Sequence, residues 1–508
     1  MGLYDFTYYD LIRRNADIYS TATAWHDVDT EQALTFAEVK TRIDRLASGL
    51  KAAGVQNGDR LGVFGKNSTE YFLLYGAAAA LGAIMLPVNW RLSGEEACYN
   101  LSDCTPRLLF ADAEFQETIN AHRQKLPSDM RFFNLKGDSG AYESFSQLLN
   151  QNQSDPFVPA PVGNDDGFLI IHTAAVGGRP RGALLSHANM MCACLHLSYY
   201  FELSEKDVHL NLLPLFHVAG LFMAAAAFQC GALNVNMAKF DAAHAAGLID
   251  EFGVSLLFDF PPILGAILTA AGEGNCRLSS LKSVIGLGTA EDIEKYQEIT
   301  GGRYFCIYGQ TETSMMTTIG RYNDAPGSVG RPVILSDVRT VNDDGKPLSY
   351  GETGEIVMRG PLVFKGYWNL PDENARTFRS DWHHTGDTGK FDDTGFLYYA
   401  GRKEEKELIK PGGENVYPAE VEKVILEHPA VENTVVFGVP DPKWKEGIKA
   451  VCLLKPGETL EAQALIDFVG ERIARFKKPH YVEMTTDFPL KADGTPDREK
   501  IKDRFGRG

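Results

Sequence analysis

Four short segments of this 508-residue chain carry residue types whose spacing suits chemistry on phosphates, a ribose and a divalent cation. The first, 172–187, reads His-Thr-Ala-Ala-Val-Gly-Gly-Arg-Pro-Arg-Gly-Ala-Leu-Leu-Ser-His. A strand is expected to run into this glycine-rich basic loop and from it into a helix. Free backbone N–H groups in such a loop could cradle a polyphosphate, with Thr173, Gly178, Arg179 and Arg181 as its contacts. The competing reading is a tight turn bearing two solvated arginines, and the spacing is neither a Walker loop nor a dinucleotide fingerprint. The second segment is Tyr308-Gly309-Gln-Thr311-Glu312-Thr, at the end of the strand-like run 304–307. Tyrosine can stack on a purine, threonine can hydrogen-bond phosphate, and glutamate can hold magnesium through oxygen. A polar turn beside a buried aromatic is the alternative. The third is His384-Thr-Gly-Asp387, followed by Gly401-Arg402. An aspartate on a tight turn suits two ribose hydroxyls, though an ordinary Asp turn reads the same. The fourth, 408–422, reads Leu-Ile-Lys-Pro-Gly-Gly-Glu-Asn-Val-Tyr-Pro-Ala-Glu-Val-Glu. Gly412 and Gly413 allow a ligand to approach the backbone closely. Pro418 then opens a helix with acids near its N-terminus.

The elements that must position these segments follow from hydrophobic patterning. Apolar runs at 60–64, 168–172, 254–259 and 283–288 alternate with Ala- and Leu-rich helical stretches such as 190–200 and 242–252. That alternation predicts an α/β fold with parallel-rich sheets flanked by helices. Near residue 340 the character changes to short strands, 338–342, 354–359 and 395–400, separated by Gly-Asp and Asp-Gly turns, which predicts a small β-rich subdomain over 335–402. A charged stretch follows. Then a helix at 419–428, strands at 431–439 and 448–454 and a helix at 462–475 predict a compact α+β unit. The expected domains are 1–402 and 403–508, with the linker close to Arg402.

These four segments, in this order and with these gaps, resemble the adenylate-forming superfamily of acyl-CoA synthetases, luciferases and peptide-synthetase adenylation domains. The resemblance spans about residues 9–501. Echoes at 82–92, Pro214-Leu-Phe-His-Val218, 327–332 and Arg475-Phe-Lys-Lys-Pro479 strengthen it. The block at 410–422 is most similar to that of CoA ligases. The resemblance implies two half-reactions: a carboxylate and Mg-ATP give acyl-adenylate and pyrophosphate, then the CoA thiol displaces AMP. ATP/AMP, Mg2+ and coenzyme A are thus the implied cofactors, and the small C-terminal domain turns between the halves. By motif, Tyr308 would stack on adenine beside Gly309. Thr311 and Glu312 would bind phosphate and magnesium. Asp387 and Arg402 would hold the ribose. The turn with Gly288 and Thr289 would line adenine and the acyl pocket. His217 would stand between acyl and nucleotide sites, Gly412 and Gly413 would flank the pantetheine channel, and the hinge would fall near Lys406-Glu407, where Glu404 and Glu405 look inserted.

Two departures bear on adenylation. The family loop Thr-Ser-Gly-Thr-Thr-Gly-x-Pro-Lys-Gly is here Thr-Ala-Ala-Val-Gly-Gly-Arg-Pro-Arg-Gly, which loses hydroxyl donors. Thr495 stands where the family's adenylating lysine is expected, leaving Lys491 as the nearest substitute and Lys500 as another. Each lost charge-assisted contact would cost on the order of 2–4 kcal/mol in the transition state. Three readings follow: a complete ligase using Arg179, Arg181 and Lys491, an enzyme confined to the acyl-AMP/CoA half-reaction, and a non-catalytic acyl or nucleotide binder. Apolar stretches at 216–222, 258–262 and Met315-Met316 suit a fatty, alicyclic or aromatic acid, with Gly220 and Gly288 leaving room for it. Lys443, Lys445, Lys477 and Lys478 form an expected docking surface for CoA phosphates or, on the residues alone, a solvated charged face.

Composition bounds the rest. A formal net charge of −17 argues against sequence-independent nucleic-acid binding. Eight scattered cysteines, with no zinc-type spacing, are expected to be reduced thiols. The first 15 residues lack a secretory pattern, Phe6 misses the myristoylation pattern, and the longest apolar stretch, 77–88, is shorter than the roughly 20 residues a transmembrane helix needs. A cytoplasmic protein is the expectation, and the resemblance makes a homodimer one of the assemblies open to it.

Overall fold

The computed structural model describes the chain except for residues 1, 138–139, 151–156, 174–178, 403–407, 415, 492–494 and 507–508. Two large sheets share one apolar core. One contains, in spatial order, Thr318–Arg321, Arg303–Tyr308, Ser283–Gly286, Leu256–Asp259, Val208–Asn211, Leu233–Asn236 and Thr23–Asp27, mostly parallel. The other places Arg181–Ser186, Gly167–Thr173, Ile84–Pro87, Arg60–Phe64, Leu108–Ala111 and Arg131–Asn134 side by side. Helices Thr69–Leu81 and Val218–Gln229 are apolar on nearly every face and almost wholly buried, as that pattern requires. The stretch 77–88 is the end of the first of these helices and the strand Ile84–Pro87.

The segment 172–187 departs from the expected loop-to-helix course. After residues 174–178, which lie outside the described residues with Gly178 among them, the chain forms the strand Arg181–Ser186 before the helix His187–Phe201 begins. Leu184 and Leu185 pair antiparallel with Ile170 and Leu169, so this run is buried as a hairpin arm. Arg181 therefore lies in a strand, opposite Thr173.

A five-stranded antiparallel sheet follows, built on Asp337–Val341, Gly354–Arg359, Trp382–Phe391 and Leu397–Arg402, with Phe378–Arg379 at its edge. Here Asp387 lies within a ten-residue strand, not on a tight turn. The register slips between Glu355↔Thr388 and Val357↔His384, and Gly386 takes φ +70° at this bulge. The bulge re-aims the aspartate toward the strand that ends at Tyr308.

The C-terminal segment packs helices Pro418–Ile425, Ala462–Gly470 and Arg498–Phe505 on the strands Val431–Asp441, Lys445–Leu454 and Tyr481–Thr485. Its core includes Ile409, Val421, Ile448 and Leu465, separate from the main one. The helix expected to reach 475 stops at Gly470, and Arg475–Lys477 forms a 3₁₀ turn. This segment is fixed to the main body by charge. Lys477, buried, bridges Glu96 of the main body and Glu420, and Glu414 pairs with Arg91. No described helix is long and apolar enough to cross a membrane.

Candidate active site

The ends of the strands Gly167–Thr173, Leu256–Asp259, Arg303–Tyr308 and Trp382–Phe391 surround a cavity that the C-terminal segment closes with Lys410 and Tyr417. One side is polar, with Thr173, Arg181, Glu312 and Arg402. The other is apolar, with Phe258, Phe260, Leu287, Ile307 and Met315. Met316, the neighbour of Met315, is a core residue instead.

Glu312 is buried in a 3₁₀ turn that follows the strand Arg303–Tyr308. Its Oε1 accepts the hydroxyls of Thr173 and Tyr367, both at 2.8 Å. Burial pushes this carboxyl up, but Arg181 and the Thr173 hydroxyl outweigh it, and the group is held below its usual range. It is thus an ionised oxygen donor whose two hydroxyl partners both sit on Oε1. That donor chemistry fits a hard divalent cation. Arg181 pairs with Glu373 at 2.8 Å, lies 4.1 Å over the Tyr367 ring, and leaves its buried Nε without a partner among the described residues. A phosphate oxygen would satisfy that donor.

Asp387 has four donors around it. Tyr308 Oη at 2.8 Å and Gln310 Nε2 at 2.5 Å reach Oδ2, while Arg402 Nε at 3.0 Å and Tyr399 Oη at 3.4 Å reach Oδ1. Burial lowers the basicity of Arg402, but Asp387 reverses this and keeps the guanidinium charged. A ribose would exchange hydroxyls for the weaker of these donors, chiefly Tyr399. Tyr308 itself is buried with its hydroxyl on Asp387, while its neighbours Ile307, Gly309, Gln310 and Thr311 line the cavity.

His217 comes from the segment between the strand Val208–Asn211 and the helix Val218–Gln229, and two buried groups fix it there. Asn67 accepts the Leu215 N–H at 2.7 Å and donates to Leu213 O at 2.8 Å, and Tyr75 Oη donates to Leu215 O at 2.7 Å. His217 Nδ1 then accepts the Ala219 N–H at 3.1 Å as the cap of the next helix. Burial, then Lys410 and Arg91, hold its pKa down to about 4. The ring is neutral, and with Nδ1 accepting, Nε2–H is its donor. Lys410 faces the same space. It is open to the cavity water yet enclosed on the protein side, and burial followed by the Arg402 charge brings its amine down to about 8. Among the described residues its side chain has no ion-pair or hydrogen-bond partner.

Lys410 was not singled out by sequence reasoning. Its signal was a lone cation inside Ile-Lys-Pro-Gly-Gly, a segment already expected to approach ligand. Several expected residues lie elsewhere. Lys491 is exposed in the C-terminal segment and is not among the cavity walls, and Arg179 is likewise outside them. Thr289 caps the helix Ala290–Thr300. Gly220 and Gly288 do not provide room: a Cβ at Gly220 would stand 2.4 Å from Pro214 O, and one at Gly288 2.7 Å from Asp259 Oδ2. Lys477, expected at a CoA-docking face, is buried between two carboxylates. Gly412, at φ +58°, packs against Trp444 and faces Pro261, and Gly413 completes the same turn. The hinge expected at Lys406-Glu407 lies outside the described residues.

The fold and this cavity define the class of enzymes that activate a carboxylate as an adenylate. The chain matches the AMP-binding enzyme family over residues 12–368 and the AMP-binding enzyme C-terminal domain over 420–495. It belongs to the AMP-binding enzyme family, as an acid–thiol ligase. It is 34% identical to indoleacetate–CoA ligase of Aromatoleum aromaticum over 94% of each chain, and 33% identical to feruloyl-CoA synthase of Amycolatopsis sp. over 93% of this chain and 94% of that one. Among solved structures it is similar to a double mutant of o-succinylbenzoate CoA synthetase from Bacillus subtilis, with 26% identity, a TM-score of 0.86 and 98% of both chains covered.

Proposed function

We propose that the chain converts an apolar monocarboxylic acid, ATP and CoA into acyl-CoA, AMP and pyrophosphate, with aromatic acids the first class to try. The observation that carries this is one cavity lined at once by residues suited to phosphate and a cation (Thr173, Arg181, Glu312), by apolar residues (Phe258, Phe260, Ile307, Met315), and by His217 and Lys410. The names of the indoleacetate and ferulate relatives support a planar, apolar acid.

In the first half-reaction a carboxylate oxygen bonds to the α-phosphorus of ATP and the bond to pyrophosphate breaks. Thr173, Thr311 and Arg181 orient the phosphates, and Asp387 with Arg402 holds the ribose. Glu312 would hold magnesium, which supplies Lewis-acid charge to the phosphates. In the second half the CoA sulfur, having lost its proton to solvent, bonds to the acyl carbon and the bond to AMP breaks. His217 Nε2–H and the Lys410 ammonium stabilise the negative oxygen that develops there. The placement of Lys410 and Tyr417 at the cavity, with Lys491 outside its walls, supports reading this arrangement as the thioester-forming one. In the adenylating arrangement the C-terminal unit turns and carries Lys491 toward the phosphates.

The eight thiols, none bridged, support a cytoplasmic setting. The Leu335 N–H bonded to His196 Nε2 brings exposed Ile334 and Leu335 beside exposed Leu195 and Tyr199, an apolar cluster that supports a homodimer, to be checked by light scattering. The activity is tested by mass spectrometry of acyl-CoA and AMP formed from Mg-ATP, CoA and a pool of aromatic, alicyclic and fatty acids. Matching acyl-CoA and AMP are expected. Thioester from supplied acyl-adenylates alone would restrict the enzyme to the second half-reaction, and no product in either assay would overturn the proposal.

A further inference from the structure

We propose that Asp259 and Tyr304 are positioning residues for the apolar wall that meets the acid, a buried strut that sets where the Leu287-Gly288 turn stands beside Phe258 and Phe260 in the cavity wall. The strut is a continuous line of hydrogen bonds. The Gly288 N–H donates to Tyr304 Oη at 2.5 Å, and Tyr304 Oη donates to Asp259 Oδ2 at 3.0 Å. Asp259 Oδ1 accepts the Leu264 N–H at 3.0 Å, and Asp259 O accepts the Leu287 N–H at 3.2 Å. A phenol has one proton, so with Asp259 as its acceptor its lone pair is fixed on Gly288. Three elements are joined: the start of the helix Ile263–Gly274, the end of the strand Leu256–Asp259, and the turn.

Packing alone does not account for this choice of residues. Both side chains are 1% exposed, and burial pushes the Asp259 carboxyl up to about 6. Apolar residues of similar shape fill such a place without desolvating a carboxyl. What the pair adds is geometry. A Cβ on Gly288 would fall 2.7 Å from both Asp259 Oδ2 and Tyr304 Oη, so the turn lies directly on the strut. Phe258 and Phe260, on either side of Asp259, line the apolar part of the cavity together with Leu287, which follows the neighbouring parallel strand. The strut thus fixes how these three wall residues stand relative to one another. From its other side, Lys445 of the C-terminal segment donates to Leu287 O at 3.2 Å.

This inference rests on the proposed ligase activity, and steady-state kinetics separates the two. Tyr304→Phe keeps the ring and removes both contacts of the hydroxyl. It is expected to raise KM for the carboxylic acid about tenfold with kcat changed less than about twofold, at an unchanged melting temperature. Asp259→Asn, which keeps one acceptor for the phenol, is expected to raise it about threefold. Wild-type protein without acyl-CoA formation would remove the functional reading itself. Active wild type with unchanged KM values in both variants, or variants that lose melting temperature and kcat together while KM for the acid holds, would overturn the strut. If Tyr304→Phe does not fold, Asp259→Asn decides by the same KM.

Discussion

Asp387 and Lys410 are groups of opposite charge type beside one cavity, and they are held in opposite ways. Asp387 is part of the main body and receives four hydrogen bonds from Tyr308, Gln310, Arg402 and Tyr399. Lys410 arrives with the C-terminal segment, and its own tether is a backbone N–H to Glu446 at 2.7 Å. A group that must recognise the same nucleotide throughout the reaction is preorganised in a rigid scaffold. A group needed in one half only can be brought on a segment that moves. The contrast separates permanent recognition from intermittent catalysis.

The largest expected effect lies on the permanent side. Glu312→Gln should lower kcat for acyl-CoA formation by about 10³-fold, because it removes the carboxylate charge beside the phosphates. Weaker magnesium dependence in isothermal titration checks the assignment. Next, Asp387→Asn should reduce kcat/KM for ATP by about 10²-fold, and it should weaken AMP binding in both halves. Lys410→Met tests the other side. It should slow thioester formation from a supplied acyl-adenylate by about tenfold and leave AMP affinity nearly unchanged. Loss of AMP binding in that variant would erase the distinction drawn above. With its amine near 8, Lys410 is charged below that pH and neutral above it. The thioester rate should therefore fall as pH rises through about 8, and Lys410→Arg should move this limb upward. The smallest effect is expected from Lys477→Met, about threefold in the ratio of the two half-reaction rates, because it unties Glu96 from Glu420 without entering the cavity.

Much of the α/β framework was legible because its strands are apolar runs with turn residues at their ends; 60–64 and 354–359 coincide with Arg60–Phe64 and Gly354–Arg359. The polar motifs were also legible as motifs, since Thr311, Glu312, Arg181 and His217 all reach the cavity. What could not be read was geometry that depends on a partner strand. The Asp387 bulge exists only against Glu355 and Val357, and the arm Arg181–Ser186 only against Gly167–Thr173. Long-range polar ties were equally silent. Asn67 and Tyr75 act on residues about 140 positions away, and nothing near them marks that task. Lys477 looked like a solvated cation because its partner Glu96 lies 381 positions earlier.

The contact between Lys445 and the Leu287 carbonyl has a thermodynamic consequence. The Leu287-Gly288 turn is shared property: the main body supports it from within and the C-terminal segment touches it from outside. If the position of that segment changes the affinity for AMP by some factor, linkage requires that AMP change the equilibrium of the segment by the same factor. Occupancy of the nucleotide site then becomes a vote on which arrangement the enzyme rests in, and departure of AMP withdraws it.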